Sequence, residues 1–234
     1  GELVSYNTFG DELARGTYVD GTIDHGTVYK TYETVYGISE YQDGRLMKTT
    51  ILDGCAKPTK AKVVSYFKDD ESIEKGEYYD QTGTLIGTME SYNWNGSVID
   101  GTEAEFAINP LVVKSIVQKK NGFYITPRKS FYSNGNVKSF EYFAEPTADS
   151  LQMTVAQVFF DVNNNQLDSL VYADGLPQTG KQYIFFNNTD NALQNDTVNI
   201  LANYANGVLQ GKYTTYYSNG SIMSTVEYDQ NVPT

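Results

Sequence analysis

Residues 204–228 read Tyr-Ala-Asn-Gly-Val-Leu-Gln-Gly-Lys-Tyr-Thr-Thr-Tyr-Tyr-Ser-Asn-Gly-Ser-Ile-Met-Ser-Thr-Val-Glu-Tyr, and this stretch decides the fold. It holds two Asn-Gly pairs, Asn206-Gly207 and Asn219-Gly220, each between segments rich in tyrosine and β-branched residues. Asn-Gly readily takes the positive φ that a tight hairpin turn demands. The flanking residues favour a pleated, half-buried surface over a helix. Strand, turn, strand, turn, strand is the simplest reading, with a period of 24 from Tyr204 to Tyr228.

The same punctuation extends over the whole chain. Asp20-Gly21, Asp43-Gly44, Asp53-Gly54, Asn95-Gly96, Asp100-Gly101, Asn121-Gly122, Asn134-Gly135 and Asp174-Gly175 are further Asx-Gly pairs. We assign Gly21, Gly44, Gly96, Gly135, Gly175, Gly207 and Gly220 to structural turns. Two sub-motifs alternate. One runs from an aromatic through Asx-Gly to an aliphatic: Tyr132 to Val137, Tyr217 to Ile222, and more loosely Tyr41 to Leu46 and Tyr79 to Leu85. Between Phe160 and Leu167, Asn163-Asn164-Asn165 stands in for the glycine, since Asn also tolerates the left-handed region. The other sub-motif adds a second glycine: Gly21 leads to Gly26, Gly175 to Gly180, Gly207 to Gly211, and Gly96 to Gly101. A fixed period of this length marks an array of units that bury their faces against one another.

These Tyr-x-Asx-Gly runs and paired glycines resemble the MORN repeat, in the variant form of bacterial antitoxin-like proteins. The resemblance implies a non-enzymatic module that contacts proteins or membranes. The expected fold is all-β: one domain over 1–234, built as an elongated array of antiparallel hairpins in one twisted sheet, with some 14 to 18 strands and little or no helix. Segments 55–70 and 107–130 fit no unit, 187–199 reads as an enlarged loop, and Trp94 is the one tryptophan. Leu111 to Val117 and Thr154 to Phe160 read as strands, with a helical turn over Asp149 to Ala156 as the competing reading.

Composition narrows the function classes. The chain has 234 residues and a formal net charge of −12. Its long-range field repels phosphate backbones and anionic lipid, so nucleic acid and anionic membrane surfaces are disfavoured as partners. One cysteine, Cys55, excludes an internal disulfide, and one histidine, His25, excludes a multi-histidine metal site. No apolar run reaches the length of a membrane helix. A sequence rich in Tyr, Asn, Thr and Gly, poor in Lys and beginning without Met, points to an extracytoplasmic place in a bacterium, at the periplasm or cell surface.

Few residues offer chemistry. No nucleophile signature surrounds Cys55 or any serine, so His25 reads as a turn residue. Glu103 and Glu105 fall on one strand face, as an acid/base pair would require, but solvated surface is the better explanation. Asp161 to Asp168 lacks the order of a calcium loop. The paired glycines lead into strands and not into a helix N-terminus, so they make no phosphate site, and no cofactor is implied. Lys57, Lys60 and Lys62, and Lys114, Lys119, Lys120, Arg128 and Lys129, are the basic clusters. They read as solvated faces, with a local anion contact as the alternative.

The aromatics carry the strongest functional signal. Adjacent strand residues point to opposite faces. In Tyr78-Tyr79, Phe159-Phe160, Phe185-Phe186 and Tyr216-Tyr217, one ring is expected in the core and the other outside. A row of outward rings, with Tyr78, Tyr79, Trp94, Tyr183, Tyr213, Tyr216 and Tyr217 as candidates, would suit a protein or glycan partner. The competing functions are a carbohydrate-active or glycan-binding envelope protein and an antitoxin-like partner protein.

Overall fold

The computed structural model describes residues 1–6, 10–32, 35–53, 60–93, 97–108, 110–147, 152–186 and 196–234. Trp94, Gly96, Cys55 and most of the 187–199 loop therefore lie outside the described residues. The chain is 71% strand with no α-helix among the described residues. The 21 strands among the described residues belong to one antiparallel ladder, as the hairpin reading requires.

By contact density the chain forms two units, Gly1–Thr102 with Ile108–Val112, and Glu103–Ala107 with Val113–Thr234. The first holds β1 (Glu2–Tyr6), β2 (Glu12–Val19), β3 (Thr22–Tyr32), β4 (Val35–Gln42), β5 (Arg45–Asp53), β6 (Lys62–Phe67), β7 (Ile73–Tyr79) and β8 (Leu85–Tyr92). Strands β9 (Val98–Ala107) and β10 (Val112–Lys120) are shared. The second holds β11 (Phe123–Tyr124), β12 (Arg128–Phe131), β13 (Val137–Phe143), β14 (Thr154–Phe160), β15 (Gln166–Ala173), β16 (Leu176–Phe185), β17 (Val198–Ala205), β18 (Val208–Leu209), β19 (Gly211–Tyr216), β20 (Ile222–Asp229) and β21 (Val232–Pro233). Strands β11, β18 and β21 have two residues each, which accounts for the excess over the expected count. The repeat-poor segments still form strands: β6 lies in one, and β10 to β12 in the other. Thr154 to Phe160 is strand throughout.

Turn chemistry explains the alternation of sub-motifs. At Asp20-Gly21, Asp43-Gly44, Asn121-Gly122, Asp174-Gly175 and Asn206-Gly207 both residues have positive φ, near 50° and then 75–83°. The strands pair immediately outside each of these turns, as in Gln42↔Arg45 and Ala205↔Val208. These are two-residue turns whose twist matches the strands. Tyr41 to Leu46 therefore belongs with this class and not with the longer turn. The longer class repeats one pattern, in which residue i donates to the carbonyl of i+4 and i+3 donates to i. It occurs at Tyr132–Asn136, Asp161–Asn165, Asp80–Thr84 and Tyr217–Ser221. The left-handed position is Gly135, Asn164, Gly83 and Gly220 in turn, so Asn164 does take the glycine's place. The tight backbone is held by Asx side chains: Asp161 Oδ1 accepts from the amides of Asn163 and Asn165, each at 2.8 Å.

In three of the four pairs the second glycine has a different role, which Gly211, at φ +79° with no atom nearer than 3.9 Å to an added Cβ, does not share. Gly26, Gly101 and Gly180 have φ of +98°, +100° and +121°. A Cβ at any of them would overlap a carbonyl oxygen of the adjacent strand, from Arg15, Thr88 and Ser169 respectively. Beside Gly26 and Gly180 the register slips by one residue, leaving Asp24 and Gln178 unpaired in the ladder. Their freed carbonyls accept the turn amides of the next hairpin, Gly44 N–H to Asp24 and Gly207 N–H to Gln178, both at 2.9 Å. The turn glycine and the bulge glycine thus form a stitch between successive hairpins.

Burial is thin, often one or two residues per strand. The first unit buries Ala14, Val64, Tyr78 and Met89; the second buries Val117, Tyr132, Phe159, Leu170 and Ala202.

Candidate functional site

A well-formed concavity lies in the second unit, where the ladder is interrupted. Strand β11 ends at Tyr124 and β12 resumes at Arg128. Between them Pro127 has no amide to donate to a ladder. The Ile125 amide donates to the Gln118 carbonyl at 2.9 Å, and the Thr126 hydroxyl accepts from the Gln118 amide at 3.1 Å. Ile125 is left outside, 60% exposed. A groove of about 240 Å³ lies on one side, with Tyr124, Tyr142, Phe143, Glu145 and Pro146 among its walls. A second lobe of about 310 Å³ is lined by Ile116, Val117, Gln118, Lys129 and Phe140, and shares Thr126 and Pro127 with the first.

The walls are rigidly held. Gln152 reaches across to accept from the Tyr124 amide at 2.5 Å and donates to the carbonyls of Tyr124 and Ala144 at 2.9 and 3.1 Å. The Tyr124 and Phe143 rings lie 4.3 Å apart, tilted by 30°. Arg128 lies over both rings, at 5.0 and 5.4 Å from their centroids. It donates to the Tyr124 hydroxyl at 3.0 Å and to Glu141 at 3.1 Å. Glu141 also accepts from Thr154 at 2.7 Å. Lys119 pairs with Glu103 at 2.6 Å. Tyr142, 39% exposed, offers an open ring beside this packed set. Lys129 lies 5.4 Å over Phe140 and has no carboxylate partner among the described residues. Ring faces with a few fixed polar groups at the rim suit an extended, partly apolar ligand.

The aromatics singled out in the sequence fall elsewhere. Tyr78 is buried in the first unit, and Tyr79 donates to Glu77 at 2.9 Å beneath Lys62. In the second unit Tyr183 packs 5.1 Å from Phe159, and Tyr213 meets Tyr228 edge-on at 5.9 Å. Tyr216 is half-buried and Tyr217 is 51% exposed. Burial holds the Tyr183 hydroxyl above its ordinary pKa. The groove residues Tyr124, Tyr142 and Phe143 were missed, because they look like any strand aromatic. The available signal was the departure of 107–130 from the repeat, together with the basic residues Arg128 and Lys129.

Other candidates resolve into pairs. Glu103 and Glu105 each bind their own lysine, Lys119 at 2.6 Å and Lys114 at 2.8 Å. Among the described residues no cluster of metal-ligating side chains occurs. Lys138, only 8% exposed, lies between the rings of Phe185 and Tyr132, at 4.8 and 5.3 Å from their centroids. Its Nζ is 3.8 Å from Asp196, and Asp196 accepts both the amide and the hydroxyl of Ser133. Burial pushes the Lys138 amine down to about 8, with Asp196 opposing.

His25 lies in strand β3 and not in a turn, and it links the bulge residue Asp24 to the next turn, with Nδ1 2.8 Å from Asp24 and Nε2 3.2 Å from Asp43. The hydrogen bond with Asp24, reinforced by Asp43, raises its pKa above the ordinary 6.5 despite some desolvation. Because the folded value is raised, the bridge contributes fully at pH below the unfolded value. Its contribution fades as pH rises through the folded value. An imidazole NMR titration is expected to show a midpoint above 6.5, and Asp24→Asn should bring it down. An unchanged midpoint in that variant would refute the bridge.

No protein-family model matches the chain, and no curated protein matches it.

Proposed function

We propose that this chain is a non-enzymatic binding module that holds an extended protein or glycan partner along the aromatic groove beside Ile125–Pro127. The observation that carries the reading is the two-lobed concavity with an open Tyr142 ring and walls pinned by Gln152. The resemblance to MORN-type repeats, which implies a contact module, agrees with it. The chemistry of the carboxyls also favours binding over glycoside hydrolysis. A glycosidase acid needs a carboxyl raised toward neutrality. The described carboxyls with shifted titration are instead held low. Glu12, Asp70 and Asp161 are lowered by hydrogen bonds from Arg15, Ser72 and Asn165. In Glu77, Asp80 and Asp168 burial pulls upward, and donated hydrogen bonds outweigh it. An extracytoplasmic site in a bacterium is part of the proposal, and the native start of the gene, with or without a leader, tests it.

The binding reading is tested by screening wild type and Tyr142→Ala against glycan arrays and displayed peptides. We expect a ligand whose Kd weakens about ten-fold in the variant, as for an exposed aromatic anchor. A ligand bound equally by both proteins would remove the groove from the account. A measured turnover on a glycan would overturn the non-enzymatic reading.

A further inference from the structure

Taking the groove to be the binding site, we propose that its ligand is an acidic oligosaccharide, a chain containing uronic acids, with sugar faces on the Tyr142 side and a carboxylate at Lys129. Two observations select this chemistry.

The first is that several main-chain groups of the groove are already engaged. The Tyr124 amide and carbonyl are both taken by Gln152. The Ile125 amide is bound to the Gln118 carbonyl, and the Gln118 amide to the Thr126 hydroxyl. An extended peptide that binds by adding a strand needs free main-chain donors and acceptors, and these groups are spent. What the groove still offers is ring face and side-chain polarity: Tyr142, the Thr126 hydroxyl hydrogen, and the exposed carboxylate of Glu145. That combination suits the two characters of a sugar, an apolar ring face and a rim of hydroxyls.

The second is the charge pattern. Lys119 and Arg128 are neutralised by Glu103 and Glu141. Lys129, half-buried in the second lobe, lies over the Phe140 ring and has no carboxylate partner among the described residues. An ammonium partly removed from water gains most from an anion. The overall charge of −12 does not forbid this, because exposed charges beyond about 8 Å are largely screened at physiological salt.

The experiment compares hexagalacturonate with uncharged cellohexaose by calorimetry, using wild type, Lys129→Gln and Tyr142→Ala, each checked for wild-type thermal unfolding. We expect hexagalacturonate to bind about ten-fold tighter than cellohexaose. Lys129→Gln should abolish that preference and leave cellohexaose unaffected, while Tyr142→Ala weakens both. Equal binding of the two sugars, a preference that survives Lys129→Gln, or no binding of either would overturn the proposal. If neither sugar binds but a peptide from the screen is lost in Tyr142→Ala, the groove reading stands and the sugar-acid assignment alone fails. If no ligand responds to Tyr142→Ala, both fail.

Discussion

Gly180→Ala is expected to cost about 2–5 kcal/mol in urea unfolding of the intact chain. Two penalties combine. An L-residue at positive φ is strained by about 1–2 kcal/mol, and Gly180 has φ +121°. In addition the new methyl would overlap the Ser169 carbonyl and approach Leu170 Cα at 3.0 Å. Backbone has to move to relieve such contacts, at a further cost of about 1–3 kcal/mol. Gly122→Ala separates the two effects, because Gly122 has φ +81° with open space around it, and about 1 kcal/mol is expected. Gly220→Val, where the nearest atom is 4.0 Å away, should fall between, near 1–2 kcal/mol. A Gly180→Ala cost no larger than that of Gly122→Ala would show that the strands do not approach as described. Amide exchange adds a second reading. Each strand mainly contacts its sequence neighbours, so protection should fall around β15–β17 and persist in β2–β5.

The second large effect is electrostatic. Lys138 loses its proton at about 8 in the folded chain, against 10.5 ordinarily. Between those values the unfolded chain carries the extra proton, so stability rises with pH at about 1.4 kcal/mol per unit. Relative to Lys138→Met, wild type should gain about 3 kcal/mol between pH 8 and 10.5. Comparing the two proteins cancels the tyrosines, among them Tyr132, which burial pushes up to about 12 and which acts in the opposite direction. A pH-independent difference would mean that Lys138 is solvated. At pH 7, Asp196→Ala should cost about 3 kcal/mol, since it removes the carboxylate beside a buried ammonium and the acceptor of the Ser133 amide.

Much of the fold was legible because its turns require particular residues. Asx-Gly pairs marked most hairpin turns, and Asn163-Asn164-Asn165 could be read as a substitute from the tolerance of Asn for the left-handed region. Two turns gave no such sign. Lys68–Ser72 places Glu71 at φ +61°, and the Gln230-Asn231 turn has φ of 48° and 68° without any glycine. At Lys68–Ser72 the strain is offset by Asp70, which accepts from both the amide and the hydroxyl of Ser72, a local Asx turn that carries no glycine to mark it. The groove was harder still. Its defining contact joins Tyr124 to Gln152 across 28 residues, and nothing local to either residue announces the other. The broken repeat and the basic residues Arg128 and Lys129 were the clues. Outward tyrosines were sought on the regular hairpins, whereas the regular hairpins use many of their rings for packing.

The stitch between hairpins bears on how such a gene tolerates change in length. A turn amide, such as that of Gly44 or Gly207, needs only a bulge carbonyl one hairpin earlier. Gain or loss of a whole turn-and-bulge unit therefore restores the same connection at the new junction. A single-residue insertion within a strand does not, because it sends every following side chain to the opposite face. Insertions and deletions among relatives should accordingly come in whole units, with the turn and bulge glycines inherited or lost together.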